Sequence, residues 1–575
     1  MSYNKICGIL LVILFLASGC VKVGPDFVKP EANTMPNWLE AEGYKQVTTK
    51  ADDYRDWWRY FNDPVLDKLI QTAYQQNLTL RIAGVRVLAA RAQLGVAVGS
   101  LYPQSQKDAG SVQKERLSET SPLSAPGSPG NFWTSQIGLS ASWEFDFWGK
   151  FRRAVESADA SLMAAVADYD NALVSLTGDV AKAYISIRTL EKRLAIARQN
   201  VEVQKRSLQI ATARWKGGTT SKRDVEQAQT VLDGTEASIP TLEAQWRQTQ
   251  NALSVLMGLP PSDLKDFLGS KSAIPSPPLQ VAVGIPADLL RRRPDIQSAE
   301  WKAAAQCAQI GVAKANLYPS FSLSGTFGLQ AADVPPFVLS NMFDWRSRTG
   351  GFGPSFQWNF LNYGQITNQV RFQDARFQEL IIAYQNTVLQ ALFDWRSRTG
   401  GFGPSFQWNF LNYGQITNQV RFQDARFQEL IIAYQNTVLQ AQQEVENALI
   451  GFLKAQQRAQ KLVGATGAAQ RSVALAMLQY REGITDFTTV LTAEQNLLTY
   501  QDSLASTLGD ISSNLVGMYR AMGGGWPLRE GQDVVPDSVK EAMAKRTNWG
   551  KLLTPVALPP SRSEEPKSDI RLPQW

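Results

Sequence analysis

The sequence predicts an α+β membrane protein built as a twofold internal repeat, and three observations carry that reading. Two very long stretches hold apolar residues at heptad spacing with nothing in them to break a helix. Shorter segments beside them alternate apolar and polar residues, as strands with one apolar face do. Diverged text from the first half of the chain returns, in the same order, in the second.

The chain opens with Lys5 and an apolar run, Ile6 to Ala17, which is too short to span a bilayer and ends in the small residues of "ASGC". This reads as a secretory signal over residues 1–19 ending at Cys20. It resembles a bacterial lipoprotein signal, although Ala17 sits where Leu is commoner. That resemblance implies covalent lipid on Cys20 as the mature N-terminus, and Val21 after it, in place of Asp, implies sorting to the outer membrane. Residues 20–53 are then a lipid-anchored N-terminal segment.

Two repeats follow, 54–285 and 286–526. "QLGVAVGSLYP" at Gln93 to Pro103 returns as "QIGVAKANLYP" at Gln309 to Pro319, and "WEFDFWG" at Trp143 to Gly149 returns as "WNFLNYG". Gly218 falls on Gly483, and Met257 and Gly258 fall on Met522 and Gly523. A second copy, either very recent or an artefact, lies inside the second repeat: Phe343 to Ala391 recurs, identical at every position, as Phe393 to Ala441. Residues 527–575 are expected to be a largely disordered tail.

The long helices are read from the heptads. No proline occurs between Gly130 and Ile239, so a helix from Gly149 to Lys216 would reach ~100 Å. Leu173, Val180, Ile187, Leu194, Val201, Leu208 and Trp215 form one seam, and Leu176, Ala183, Leu190, Ala197 and Ala211 form a second. The other half repeats the pattern with Val438, Val445, Phe452, Ala459, Val473 and Tyr480, and with alanine at 441, 448, 455, 469 and 476. A repeat of seven predicts a left-handed coiled coil.

The strands are read from alternation. In "WTSQIGLSASWEFDF" Trp133, Ile137, Leu139, Ala141, Trp143, Phe145 and Phe147 take one face and Thr134, Gln136, Ser140, Ser142, Glu144 and Asp146 the other. "SFSLSGTFGLQ" and "FGPSFQWNF" behave alike. Strands of this length with one apolar and one polar face suit a transmembrane barrel around a wet lumen. Gln104 to Glu115 is a poor strand by composition and is placed as one only because the twofold plan requires it.

Composition excludes several classes of chemistry. The chain of 575 residues contains no histidine, which removes imidazole acid/base catalysis, His-containing nucleophile systems and the commonest metal ligand. Cys7, Cys20 and Cys307 make no disulfide or zinc pattern, and no metal site is expected. A net charge of +6 without a basic block gives nucleic-acid binding no support.

Taken together, "GCVKVGPDFVKP", "WWRYFNDPVLDKLI", "WEFDFWGKFRR", "GGTTSKRDVEQA", "IPTLEAQWRQTQNALSVLMGLPP", "LLRRRPDIQSAE" and "IGVAKANLYPSFSLSG" resemble the TolC-like outer membrane factors, in particular the NodT-type efflux lipoproteins. The resemblance covers about residues 20 to 526. It implies a homotrimer whose protomers each give four strands to a 12-stranded transmembrane barrel, continued across the periplasm by a coiled-coil α-helical barrel. It also implies an export duct rather than an enzyme, without cofactor beyond the lipid. The implied setting is the outer membrane of a Gram-negative bacterium, and the implied partners are a periplasmic adaptor and an inner-membrane transporter of the RND type. The outer component of a type I protein-secretion system shares the fold, and a lipid-anchored periplasmic coiled-coil scaffold would keep Cys20 and the heptads without needing strands.

In that family the hairpin tips meet the adaptor and close the channel. Here the tips are "RWKGGTTSKRDV" and "QYREGITDFTTVL", with Gly217, Gly218, Ser221, Asp224, Arg481, Gly483 and Asp486 as adaptor-facing candidates. Glycine supplies the turns, and Ser221 and Asp224 suit capping of the returning helix. Thr492 stands where many relatives carry Asp, so Tyr480, Asp486, Thr492 and Glu494 are the candidates for the entrance constriction.

The resemblance implies that such a strand runs from exterior to periplasm and feeds directly into a long helix, so one copy of the duplicated strand text must be displaced. A helix from Gly364 to Ala391 would descend ~42 Å, whereas the stretch from Leu392 to Gly401 reaches at most ~36 Å. Seam continuity favours the second copy. Phe402 to Phe410 is therefore expected as the strand, Gly414 to Arg481 as the helix, and 343–391 as surplus in an enlarged exterior loop, where added length costs little closure entropy.

Overall fold

The structure, a computed structural model, describes residues 22–40, 44, 47–48, 54–116, 131–269, 273–278, 281–284, 286–288, 292–333, 339–361, 408–411 and 415–554. The first repeat comprises α1 (Pro64–Gln76), α2 (Leu78–Gly99), β1 (Ser105–Arg116), β2 (Asn131–Phe145), α3 (Lys150–Lys216) and α4 (Lys222–Leu256). The second comprises α5 (Pro294–Ala315), β3 (Ser320–Ala332), β4 (Arg348–Leu361), β5 (Trp408–Leu411), α6 (Gln415–Arg481) and α7 (Phe487–Ala521). The repeat holds in length as well as in text: α3 and α6 each have 67 residues, and α4 and α7 each have 35.

The helices form where the heptads place them, and their seams make the core. Leu173, Val180 and Ile187 of α3 and Val438, Val445 and Phe452 of α6 are buried in one cluster with Trp57, Leu66 and Leu515. Their alanine neighbours Ala197, Ala211, Ala441, Ala469 and Ala476 are buried too, which lets the helix axes approach closely. Trp215, the last residue assigned to the first seam, is 40% exposed because the helix ends one residue later.

These five strands form one sheet in the order β1-β2-β3-β4-β5, antiparallel except for the last pair, and Val47–Thr48 pairs separately with Val281–Ala282. Directly opposed residues share a face. Leu139 lies opposite Phe327, Trp143 opposite Leu323 and Phe145 opposite Phe321, and all six are exposed, Leu139 at 61%. Pro354 continues this face from Leu323 into β4. The reverse face carries Lys107, Ser140 and Thr326 in one row and Ser142 with Ser324 in another. The poor candidate is indeed a strand: β1 pairs along the whole of its length with β2, although it sets Asp108 beside Leu139 on the apolar face.

The first copy of the duplication, not the second, supplies the sheet's fourth strand. β4 pairs with β3 from Arg348 to Gln357, while of the second copy's expected strand only its end, with Leu411, is described, as β5. Only 15 residues separate Ala332 from Arg348 (348 − 332 − 1), so the nearer copy closes the hairpin with the smaller loss of chain entropy. The helix does come from the second copy, as α6. The chain leaves the sheet at Leu361 and re-enters beside it, with Trp358 opposite Trp408, Asn359 opposite Asn409 and Leu361 opposite Leu411. The surplus is thus shifted to 362–411, of which 362–407 lies outside the described residues and includes positions 402–407 of the expected strand.

The C-terminal segment is also corrected: from Trp526 to Thr554 it is folded against the body. Val534, Val535 and Met543 enter the main core, Arg529 is ion-paired in the interior with Asp170, and Asp537–Ala544 forms a further helix. Its apolar residues are few, but the groove between α1, α2 and α3 provides cover for them.

Residues 22–40 lie along the helices as a strap. The Val23 amide donates to the Trp148 carbonyl at 3.1 Å, and the buried Arg153 guanidinium donates to the carbonyls of Val23 and Gly24 at 3.1 and 3.0 Å. Further along, the Met35 amide donates to the Gln442 side chain at 2.9 Å, and the Leu39 amide to Glu446 at 2.7 Å.

Candidate functional site

The two helix reversals have the same construction. At the end of α3 the Gly217, Gly218 and Thr219 amides return to the carbonyls of Ala213, Trp215 and Arg214, and Gly218 takes φ +72°. At the end of α6 the Gly483 and Ile484 amides return to Tyr480 and Gln479, and Gly483 takes φ +75°. Glycine, having no Cβ, adopts this left-handed conformation without the strain that most side chains bring.

The returning helices are capped differently. Asp486 caps α7, accepting from the Thr489 amide at 3.0 Å and its hydroxyl at 2.7 Å, and these bonds hold its carboxyl below the usual range. Ser221 occupies the N-cap of α4 in extended conformation but caps nothing. Its hydroxyl instead donates to Asp224 at 3.4 Å, and Thr220 donates to the other oxygen of the same carboxylate. Asp224 therefore ties the loop to the first turn of α4.

The tips grip one another through Arg214. Its guanidinium donates to the Arg481 carbonyl at 3.0 Å and to the Tyr480 carbonyl, and lies 4.7 Å from the centroid of the Tyr480 ring. Tyr480 packs on Phe487 at 4.9 Å between centroids, over a small core of Ala211, Ala228, Ala476, Val490 and Leu491. Burial pushes the Tyr480 phenol up.

The expected entrance residues divide into two groups. Asp486 and Thr492 are exposed. Tyr480 and Glu494 are buried between helices: the Ser207 hydroxyl donates to Glu494, which is 1% exposed. Arg214 was legible only as a cation in a helix's last turn, where the dipole favours it. Ser207 and Gln204 were missed, and the signal was a gap: the second seam of α3 runs through Ala197 and Ala211 and skips position 204.

Comparison with known proteins bears on the whole chain. The sequence profile of the family described as "Outer membrane efflux protein" matches residues 69–259, 285–394 and 382–524, so the last two matches divide the duplication between them. Nodulation protein T of Rhizobium leguminosarum bv. trifolii is 28% identical over 515 residues, covering 89% of this chain and 96% of the relative. The pyoverdine export outer membrane protein OpmQ of Pseudomonas putida is 30% identical over 472 residues, covering 82% and 88%. The outer-membrane channel OprN superposes with a TM-score of 0.72 at 29% identity, covering 88% of this chain and 99% of OprN. The CmeC channel of Campylobacter jejuni shares the fold at a TM-score of 0.72 and 21% identity, covering 92% and 98%. With long paired helices, a sheet apolar on one face and a profile match over most of its length, this chain belongs to the outer membrane efflux protein family.

Proposed function

We propose that three copies of this chain form a passive duct that carries small molecules across the outer membrane when docked to a periplasmic adaptor and an inner-membrane pump of the RND type. The observation that carries this reading is the continuity of two surfaces. β2, with Leu139, Trp143 and Phe145 exposed on one face and Ser140 and Ser142 on the other, runs into α3, β5 runs into α6, and both helices of 67 residues end in matched tips. Backbone groups on sheet edges have no water to bond within lipid. The free edge of β1 and the upper part of β4 therefore call for neighbouring copies, and three copies of four crossing strands supply a closed ring of 12. Relatives named for pyoverdine export and for toluene or antibiotic efflux favour small molecules over proteins as cargo.

The strap supports a lipid on Cys20. Lys22 and Val23 are held at Trp148 and Gly149, where β2 gives way to α3, and two residues reach at most ~7 Å. A lipid on Cys20 would thus enter the leaflet at the rim of the barrel. The reading is tested by restoring drug resistance to a strain lacking its own outer component, by heat-resistant trimer migration, and by ion conductance in planar bilayers. A protein that assembles but neither conducts nor restores resistance would leave only a scaffold.

A further inference from the structure

We propose that Glu494, with the Ser207 hydroxyl and the Gln204 amide beside it, is a proton-operated lock between the two hairpins: neutral, it lets them stay packed with the tips together, and ionised, it favours their parting. The proposal rests on the reading of the tips as the closing end of a duct.

The lock sits where α3 of the first hairpin meets α7 of the second. Glu494 accepts from Ser207 through one carboxyl oxygen, and its Oε2 is buried without a partner. Gln204 lies one turn before Ser207 on the same face of α3, is 2% exposed, and has neither its amide oxygen nor its amide nitrogen partnered. Around this polar layer the hairpins meet through Ala211, Ala476, Val490, Leu491, Ala493 and Leu497, all buried. Among the described residues, the charged groups nearest this layer on the packed helices are exposed, namely Lys205 and Arg206 on α3, Asp233 and Glu236 on α4, and Arg471 on α6, while the inward Arg214, two turns further along α3, is spent on the Tyr480 and Arg481 carbonyls. Nothing cationic therefore compensates an ionised Glu494, and a buried carboxylate with one hydroxyl for company is strongly disfavoured.

The sign follows from burial. Burial pushes the Glu494 carboxyl above the usual range, and the hydrogen bond from Ser207 offsets only part of this. In parted hairpins the group is solvated and titrates normally. Proton binding therefore favours the packed state fully below the ordinary carboxylate value, and that preference is lost as pH rises through the raised one. Across this window the packed-to-parted ratio falls by up to about tenfold per pH unit for each lock.

The test uses the full-length protein in lipid vesicles, with spin labels on Thr219→Cys and Glu482→Cys in a Cys307→Ser background. Tip-to-tip distances are read from about pH 5 to about pH 8, with conductance recorded on the same samples. The expected result is a shift from short to long distances as pH rises, a distribution fixed at short distances for Glu494→Gln, and a midpoint moved to higher pH for Ser207→Ala. Distances that ignore pH, or a Glu494→Gln protein that keeps the original response, would overturn the lock. Should Glu494→Gln fail to assemble, an unmoved midpoint for Ser207→Ala would overturn it alone. Tips that part with pH in a protein that never conducts would instead overturn the duct.

Discussion

Asp170 in the first third of α3 and Arg529 in the C-terminal segment form a buried ion pair, with Nη2 to Oδ2 at 2.9 Å and Nε donating to Oδ1. The two residues are almost wholly shielded from solvent. The bond fastens the C-terminal segment to the long helix beside the core that Val534 and Val535 enter.

Removing one partner strands the other charge in the interior, at a cost of about 3–5 kcal/mol. Arg529→Met is expected to lower the thermal midpoint of the assembled protein sharply. Asp170→Asn with Arg529→Met should recover part of the loss, because neither charge is then left alone. A single variant that melts like the parent would show that the segment is held by its apolar contacts.

Strand faces give a second prediction. Leu139→Arg places a cation among Phe327 and Trp143 on the exposed apolar face, at about 2–4 kcal/mol near the bilayer midplane. Ser140→Arg joins Lys107 and Thr326 on the polar face. Trimer yield in outer-membrane fractions should fall for the first and hold for the second, and equal yields would count against the barrel.

The tips give a third. Gly218→Val and Gly483→Val each force a β-branched residue to positive φ, at about 1–2 kcal/mol of local strain, and Arg214→Met removes the bond between hairpins. Charge reversal at Asp224 or Asp486 disturbs the first turns of α4 and α7. Each should abolish restored drug resistance while outer-membrane trimers persist. Loss of the trimers would make these residues structural only.

A fourth concerns the duplication. Removing 343–392 or 362–411 produces the same protein, because the copies are identical. In that product the β4 strand runs straight into α6. Trimer yield and efflux are expected to equal or exceed those of the full chain, and loss of both would assign the surplus a role.

What was legible in the sequence follows from where the information resides. The long helices were readable almost to the residue because heptad spacing and the lack of proline are local signals. β1 was nearly invisible, since Val112 is its only large apolar side chain and its pairing with β2 defines it. The choice of copy had no local signal at all: identical residues have identical propensities, and loop length decided between them. The burial of Glu494 was hidden because a glutamate near a turn reads as solvent-facing until its helix partner is known.

The equal lengths of α3 and α6 have a mechanical consequence. Both rise from the same end of one sheet, so after 67 residues each their ends stand level. In the proposed trimer, a ring of such pairs would present a flat rim, on which the proposed adaptor would sit squarely at every point of the circumference. One residue added to either helix would raise its end ~1.5 Å and turn it ~100°, tilting the rim and twisting Arg214 away from Tyr480. Length itself is thus a held quantity in these helices, as a table depends on legs cut to one measure.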